Sequence, residues 1–271
     1  MAYLDNFNYK ISGPATGRRW VFLHGLMGYG QNWARITSAL EVTEQCLVYD
    51  QRGHGKSFQP QDGYAPEDYA DDLKLILDEL GWEKIILVGH SMGGRNVLNF
   101  ASRFPDYVEK LVIEDIGPEA MEGAHLYYEE LLNVVPTPFA NREVARDFFK
   151  VEFPKLAKTR EKVEVLAGYF YSNMTEKPDG TLDWRFSKHG IIDSVKAGRN
   201  KDRWKEVAGL SMPTLIIRGE NSPELSRENY HRMLDSNRML RGVEIPQAAH
   251  WVHADQPQVF VETIKEFVGG F

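Results

Sequence analysis

One serine in this sequence has neighbours that suit nucleophilic chemistry. The pentapeptide GHSMG at 89–93 follows the apolar run KIILV and precedes SMGGRNVLNFASRF, which has a helical pattern. A sharp turn from strand to helix strains the central residue, and the small Gly89 and Gly93 relieve crowding around it. We therefore predict that Ser91 projects its hydroxyl outward, at a helix N-terminus whose free N–H groups favour a developing oxyanion.

A serine hydroxyl is a weak nucleophile and needs a neighbouring base. Histidine is the usual base, and the chain contains 8 histidines. His90 precedes Ser91 in a predicted strand, so its side chain should point to the opposite face. His250 and His253 lie in IPQAAHWVHADQP, between a strand-like VEIP and the final helical pattern. These two are the candidates for the base.

The base needs a carboxylate that orients it and stabilises its charged form. Asp115 ends the apolar run KLVIED, and the carboxyl ends of neighbouring parallel strands share one edge of a sheet. Glu114 should point to the other face. Glu220 and Glu224 flank Ser222 in the stretch LIIRGENSPEL and are the alternatives.

The elements that must position these residues can be predicted from hydrophobic patterns. Helical patterns separate the apolar runs WVFLHG, CLVYDQRG, KIILVGHS, KLVIEDIG and PTLIIRGE. Continuous apolar runs suit strands buried on both faces, so we expect an α/β fold with a mostly parallel central sheet flanked by helices. Residues 118–209 show no such run and have helical patterns. We predict a core formed by residues 1–117 and 210–271, with a helical cap at 118–209 inserted between core strands.

Charge and composition limit the partners. The chain of 271 residues has a formal net charge of -7 at pH 7, which argues against nucleic acid. Its single cysteine, Cys46, excludes an internal disulfide. We find no signal peptide and no stretch long enough to span a membrane, so we expect a cytoplasmic protein. No dinucleotide or phosphate-binding loop and no metal-ligand spacing is evident, and we predict no cofactor and no metal.

Four motifs together resemble the α/β-hydrolase family over nearly the whole chain. They are HGLMG after an early strand, DQRGHGKS after the next, GHSMGG, and the late AAHWVHADQP. The resemblance implies the α/β-hydrolase fold with Ser91 as nucleophile and His250 as base. It also implies that the backbone N–H groups of Leu26 and Met92 form the oxyanion hole.

One subgroup of the family moves its acid to the strand after the nucleophile helix. This chain resembles that subgroup at DIGP, residues 115–118, at Gly219–Ser222, where other members have G-x-x-D, and at HWVHA. The subgroup contains small-acyl esterases and acyl-CoA esterases. The resemblance implies that Asp115 is the acid, with Glu220 or Glu224 as the alternatives.

The expected function is therefore a serine carboxylesterase with a small-molecule ester substrate. Aromatic residues of the predicted cap would favour small to medium apolar acyl groups. A thioester is a further possibility, although the cap has as many acidic as basic residues and so gives no sign of a CoA site. A serine at position 91 argues against dehalogenases and epoxide hydrolases, which need a carboxylate nucleophile. A small-molecule receptor and a carbon–carbon bond hydrolase are the alternatives on this fold.

Overall fold

The computed structural model describes residues 2–159 and 162–270. Its main sheet has seven strands in the order β1-β3-β2-β4-β5-β8-β9. Their bounds are β1 Tyr9–Ser12, β2 Arg19–Leu23, β3 Gln45–Tyr49, β4 Ile85–His90, β5 Val108–Glu114, β8 Thr214–Gly219 and β9 Leu240–Ile245. Strand β1 pairs antiparallel with β3, and the other neighbours pair in parallel. The predicted mostly parallel sheet is confirmed, and each of the five apolar runs supplies a strand.

Helices cover both faces of this sheet, which is why its strands are apolar without alternation. Every residue of β4 is buried. The helices outside 118–209 are α1 Ala34–Leu40, α2 Pro66–Leu80, α3 Met92–Arg103, α10 Arg227–Ser236, α11 Val252–Asp255 and α12 Pro257–Gly269. Helix α2 starts with Pro66 and ends at Gly81 in the left-handed conformation, as its sequence predicts. Its Leu73, Ile76 and Leu77 are fully buried in the core.

Residues 118–209 are mainly helical in their described part. They contain α4 Ala124–Asn133, α5 Arg142–Asp147, a π-helical turn Phe148–Glu152, α6 Phe153–Leu156, α7 Val163–Ser172, α8 Lys188–Arg199 and α9 Trp204–Ala208. The sequence did not predict the small antiparallel sheet of β6 Met174–Glu176 and β7 Leu182–Trp184. The two strands are too short to show an alternating pattern.

Most of this segment packs around a third apolar cluster, separate from the two clusters beside the main sheet. Its members include Phe149, Phe153 and Phe170, and Met27 of the core joins it. The Tyr169 hydroxyl donates a hydrogen bond to the backbone oxygen of Leu26, 2.7 Å away. The segment therefore lies against the HGLMG loop. Across the described residues, we find no helix whose length and apolar content would let it cross a membrane.

Candidate active site

Ser91 lies between the end of β4 and the first residue of α3. Its backbone has φ 54° and ψ -117°, a strained conformation for a residue with a side chain. Its N–H donates to the carbonyl oxygen of Glu114 at 3.0 Å, which fixes the turn to the neighbouring strand. A Cβ atom at Gly93 would lie 2.4 Å from the Leu23 carbonyl oxygen, so glycine lets the helix approach β2. The strand–turn–helix geometry agrees with the prediction from the sequence.

His250 joins Ser91 to Asp115 in a chain of hydrogen bonds. Its Nε2 lies 3.0 Å from the Ser91 Oγ, and its Nδ1 lies 2.8 Å from the Asp115 Oδ2. With a proton on Nδ1 donated to the carboxylate, Nε2 can accept the proton of the serine hydroxyl. The histidine is only 8% exposed and follows β9 in the loop before α11. The structure thus brings together the three residues that the sequence predicted.

Asp115 directly follows β5 and is completely buried. It also has a positive φ, 54°. The backbone N–H of Gly219 donates to its Oδ1 at 3.0 Å, and the Ser222 hydroxyl donates to its Oδ2. Three donors, counting His250, therefore offset the cost of burying this carboxylate.

Sequence reasoning treated Ser222 as the residue that replaces an acid, and did not predict its contact with Asp115. The serine occupies the loop after β8, the strand that pairs with β5. Its Oγ also accepts hydrogen bonds from the N–H groups of Glu224 and Leu225, at 3.1 and 3.3 Å. Ser222 therefore orders its own loop while it holds the Asp115 carboxylate.

Both alternative carboxylates have other partners. Glu220 accepts from the backbone N–H of Gln247 at 3.0 Å. Glu224 accepts from Arg199 Nη2 at 3.1 Å. The carboxylate in contact with His250 is that of Asp115.

His253 forms a second buried histidine–carboxylate pair on the other side of β5. Its Nδ1 lies 2.8 and 2.9 Å from the two oxygens of Glu114. The side chains of Glu114 and Asp115 thus serve different histidines, as strand alternation predicts. His90 lies beside this pair and donates from Nε2 to the His250 carbonyl oxygen at 2.9 Å. Burial lowers the pKa of His90 well below its usual value, so this ring is neutral.

His90, Glu114 and His253 are also the group in the described residues whose ligand atoms lie close enough to hold a metal ion, within 4.8 Å of one another. Their positions are far apart in the chain, so sequence spacing did not reveal them. Each one already takes part in a hydrogen bond inside the protein. We interpret the group as a brace for the backbone of His250.

The predicted oxyanion donors, Leu26 and Met92, border the same space as the Ser91 side chain. Met92 is the first residue of α3, so its N–H has no partner within the helix. Two buried histidines hold the HGLMG loop. His24 Nε2 accepts from the Gln51 N–H at 3.0 Å, and His54 Nε2 accepts from the Met27 N–H at 3.2 Å.

Two small cavities meet at Ser91. The first, which we call the arginine cavity, has a volume of about 40 Å³ and is lined among others by Tyr69, Arg95, Ile116, Ser194 and Arg199. The second, the tyrosine cavity, has a volume of about 50 Å³ and is lined among others by Tyr127, Leu131, Leu166, Tyr169 and Trp251. Volumes of this size hold a few heavy atoms each. Both cavities are lined by residues from inside and from outside the segment 118–209.

The family follows from comparison with known proteins. A sequence model of the alpha/beta hydrolase fold matches residues 21–257. The chain belongs to the alpha/beta hydrolase family. It is 27% identical over 263 residues to 2-(acetamidomethylene)succinate hydrolase of Mesorhizobium japonicum, covering 97% of this chain and 91% of that protein. It is 29% identical over 270 residues to the sn-1-specific diacylglycerol lipase ABHD11 of Danio rerio, covering 97% and 82%.

Solved structures of this hydrolase family agree with the fold. The crystal structure of E-2-(acetamidomethylene)succinate hydrolase superposes with a TM-score of 0.83 at 25% identity, covering 97% of this chain and 95% of that chain. A marine microorganism esterase also gives a TM-score of 0.83 at 25% identity, with coverage of 96% and 98%. The family relatives therefore include esterases and lipases, and the alpha/beta hydrolase fold expected from the sequence is confirmed.

Proposed function

We propose that this hydrolase is a serine carboxylesterase that cleaves esters, including thioesters, of small to medium apolar acyl groups. The observation that carries the proposal is the continuous hydrogen-bond chain from Ser91 through His250 to the buried Asp115. The chain ends at a hydroxyl that borders two cavities. Esterases and lipases among the relatives support the same class of reaction.

In the proposed reaction, Ser91 Oγ attacks the ester carbonyl carbon while its proton passes to His250 Nε2. Asp115 stabilises the imidazolium through Nδ1. The Leu26 and Met92 N–H groups stabilise the oxyanion. The bond to the alcohol oxygen then breaks as His250 returns the proton to that oxygen. A water molecule then attacks the carbonyl carbon of the acyl-enzyme while its proton passes to His250. The bond to Ser91 Oγ breaks as His250 returns the proton to Oγ, which releases the carboxylic acid product and restores the serine.

The acyl preference rests on the tyrosine cavity. Its wall is mainly aromatic and aliphatic, with Tyr127, Leu131 and Leu166 among its members, and its carboxylate is that of Glu224. Such a wall favours an apolar chain over an anionic one. Its volume of about 50 Å³ suits a short chain. Most of these side chains come from residues 118–209, which we propose to be a cap that selects the acyl group.

Steady-state hydrolysis of 4-nitrophenyl acetate and butyrate tests the proposal. We expect sustained turnover by the wild type and none above background by Ser91→Ala. We expect Asp115→Asn to lower kcat by up to ~10⁴, because an amide at this position favours the wrong tautomer of His250. Thermal unfolding of each variant checks that it folds.

The matched controls are Glu220→Gln and Glu224→Gln, which should keep most of the activity. An active Asp115→Asn variant would show that another group acts as the acid. Absence of turnover by the wild type would favour one of two alternatives. One is a carbon–carbon bond hydrolase, and the relative named 2-(acetamidomethylene)succinate hydrolase supports testing substrates other than esters. The other is a receptor, for which a single burst without turnover is expected.

A further inference from the structure

The arginine cavity contains a buried cation that the proposed reaction does not use. Arg95 follows Ser91 by one helical turn on α3, and its side chain lines the cavity beside the serine. The residue is only 4% exposed. Its Nη1 donates to the Gly198 carbonyl oxygen and its Nη2 to the Glu119 carbonyl oxygen, both at 2.8 Å. The guanidinium is therefore held in one position.

This guanidinium has no carboxylate partner. Within residues 2–159 and 162–270, no acidic oxygen lies within 4.0 Å of it, and its Nε has no hydrogen-bond acceptor. Arg199, which lines the same cavity, also has an Nη1 without an acceptor. Two cationic side chains thus line one small space, and each has a buried N–H donor without a hydrogen-bond acceptor among the described residues. A buried donor without a protein partner is costly unless water or a ligand satisfies it.

The neighbouring acidic groups form ion pairs with Arg199 and attract Arg95 only over a longer distance. Glu224 accepts from Arg199 at 3.1 Å, and a Glu119 oxygen lies 3.8 Å from it. Neither glutamate lines the arginine cavity. Burial, together with repulsion from Arg199, lowers the pKa of Arg95 well below its usual value. An anion bound in the cavity would stabilise the charge of Arg95.

We propose that the arginine cavity binds a carboxylate group of the substrate, so that the substrates of this enzyme are acidic esters. This inference rests on the proposed esterase function and specifies the class of its substrate. The cavity accommodates a few heavy atoms, which matches a carboxylate at the end of a short chain. The tyrosine cavity on the other side of Ser91 then receives the apolar part. The scissile carbonyl lies between the two.

A simpler interpretation is that Arg95 only ties α3 to residues 118–209 through its two carbonyl contacts. The two interpretations predict different responses to substrate charge. A structural tie affects all substrates alike. A binding group affects only substrates that carry the carboxylate.

A matched pair of substrates separates the two roles. 4-Nitrophenyl hemisuccinate carries a terminal carboxylate, and 4-nitrophenyl levulinate replaces it with a neutral methyl ketone of similar shape. We expect the wild type to prefer the hemisuccinate in kcat/KM by about 10- to 100-fold, as hydrogen bonds to a charged group allow. Arg95→Met should remove this preference mainly by slowing the hemisuccinate, and Arg95→Lys should retain part of it. Arg103→Met, at the exposed end of α3, is the matched control and should keep the preference.

The same carboxylate placed on the alcohol side, with 4-acetoxybenzoate compared with 4-acetoxybenzamide, tests the orientation in which the apolar acyl group occupies the tyrosine cavity. A carboxylate preference in either pair that Arg95→Met removes supports the proposal. Equal kcat/KM for both members of both pairs overturns it. So does an Arg95→Met variant that slows the acidic and the neutral ester by the same factor.

Calorimetric titration of the wild type with glutarate, and with glutaramide as its neutral counterpart, needs no variant and no turnover. Binding of glutarate alone supports the carboxylate site even if Arg95→Met does not fold. If no ester is hydrolysed above the Ser91→Ala background but glutarate binds, the proposed function fails and the binding site remains. If esters are hydrolysed without a carboxylate preference and glutarate does not bind, the binding site fails and the proposed function remains.

Discussion

The Asp115 carboxylate depends on three donors from two other parts of the chain, the end of β8 with its following loop and the loop before α11. The Gly219 N–H, the Ser222 hydroxyl and the His250 ring all donate to it in a space that water does not reach. These fixed donors prevent the carboxylate from rotating away from His250. We therefore expect kcat to depend on Ser222, because this residue positions the carboxylate that orients His250, although it does not contact Ser91 itself.

We predict that Ser222→Ala lowers kcat on 4-nitrophenyl butyrate by about 10-fold. Loss of one hydrogen bond to a charged group costs about 1.5–3 kcal/mol, which is less than loss of the charge itself. The loss should therefore be much smaller than that of Asp115→Asn. Ser236→Ala is the control, because the Ser236 hydroxyl donates to the Met233 carbonyl oxygen, away from Asp115. A Ser222→Ala variant with unchanged kcat would show that two donors suffice.

The positions of single residues could be predicted only where strand geometry fixes them. Ser91 and Asp115 end apolar runs, so the shared edge of a parallel sheet brings them together. The hydroxyl of Ser222 lies in a loop, and its partner depends on a backbone path that no periodicity describes. The unpaired Nε–H of Arg95 was not predicted for the same reason, because its neighbours Gly198 and Glu119 come from distant segments.

At the scale of elements, the site depends on how closely α3 approaches the sheet. The helix begins at the end of β4 and passes over β2 at Gly93, where a side chain would collide with the Leu23 and His24 carbonyl oxygens. Gly168 in α7 differs, because a Cβ built there meets no atom of the described residues within 4 Å beyond its chain neighbours and its own helix backbone. Replacement of a crowded helical glycine and replacement of an uncrowded one should therefore change the free energy of unfolding in opposite directions.

We predict that Gly93→Ala destabilises the fold and that Gly168→Ala stabilises it. The first inserts a methyl group against rigid backbone, which costs about 1–3 kcal/mol or more. The second adds helix propensity worth up to about 1 kcal/mol at no steric cost. Urea denaturation of both variants measures the two free energies of unfolding. Equal signs for the two substitutions would contradict this account of α3 packing.

Hydrophobic periodicity predicts long elements well and short ones badly. Helix α2 has a 3.6-residue pattern, a proline at its start and a glycine at its end, and all three signals agree. The strands β6 and β7 have three residues each and alternate too briefly for detection. Their pairing depends on the turn between them and on the apolar cluster that they cover. Residues 118–209 therefore appeared more uniformly helical in the sequence than they are.

At the scale of the whole molecule, buried neutral histidines make folding sensitive to acid. Burial lowers the pKa of His24 to about 4 and that of His54 to about 3, and repulsion between the two rings contributes for His54. In the unfolded chain both groups take up a proton near pH 6.5. Between these values the unfolded state binds more protons than the folded state, so stability falls as pH falls.

We expect the free energy of unfolding to decrease from about pH 6.5 down to about pH 4, where His24 is protonated in the folded state too. Each histidine contributes a slope of up to about 1.4 kcal/mol per pH unit in this window. His54→Asn should make the slope shallower by about that amount. His231→Asn, exposed on α10, is the control and should leave it unchanged. Urea denaturation at several pH values measures the slopes, and equal slopes for wild type and His54→Asn would refute the assignment.

Because Ser222 contacts Asp115, the acid that pairs with His250 must occupy one location in space, but it can come from either of two places in the sequence. The two residues come from neighbouring strands, and their side chains reach the same point. A chain with a carboxylate on either strand can therefore serve the same histidine. A chain with a carboxylate at the end of each strand would be an intermediate between the two arrangements. Single substitutions could then lead from one arrangement to the other without a form that lacks the acid. In such a family, few substitutions are needed to move the catalytic carboxylate from the end of one strand to the end of the other, provided that the two strand ends are in contact.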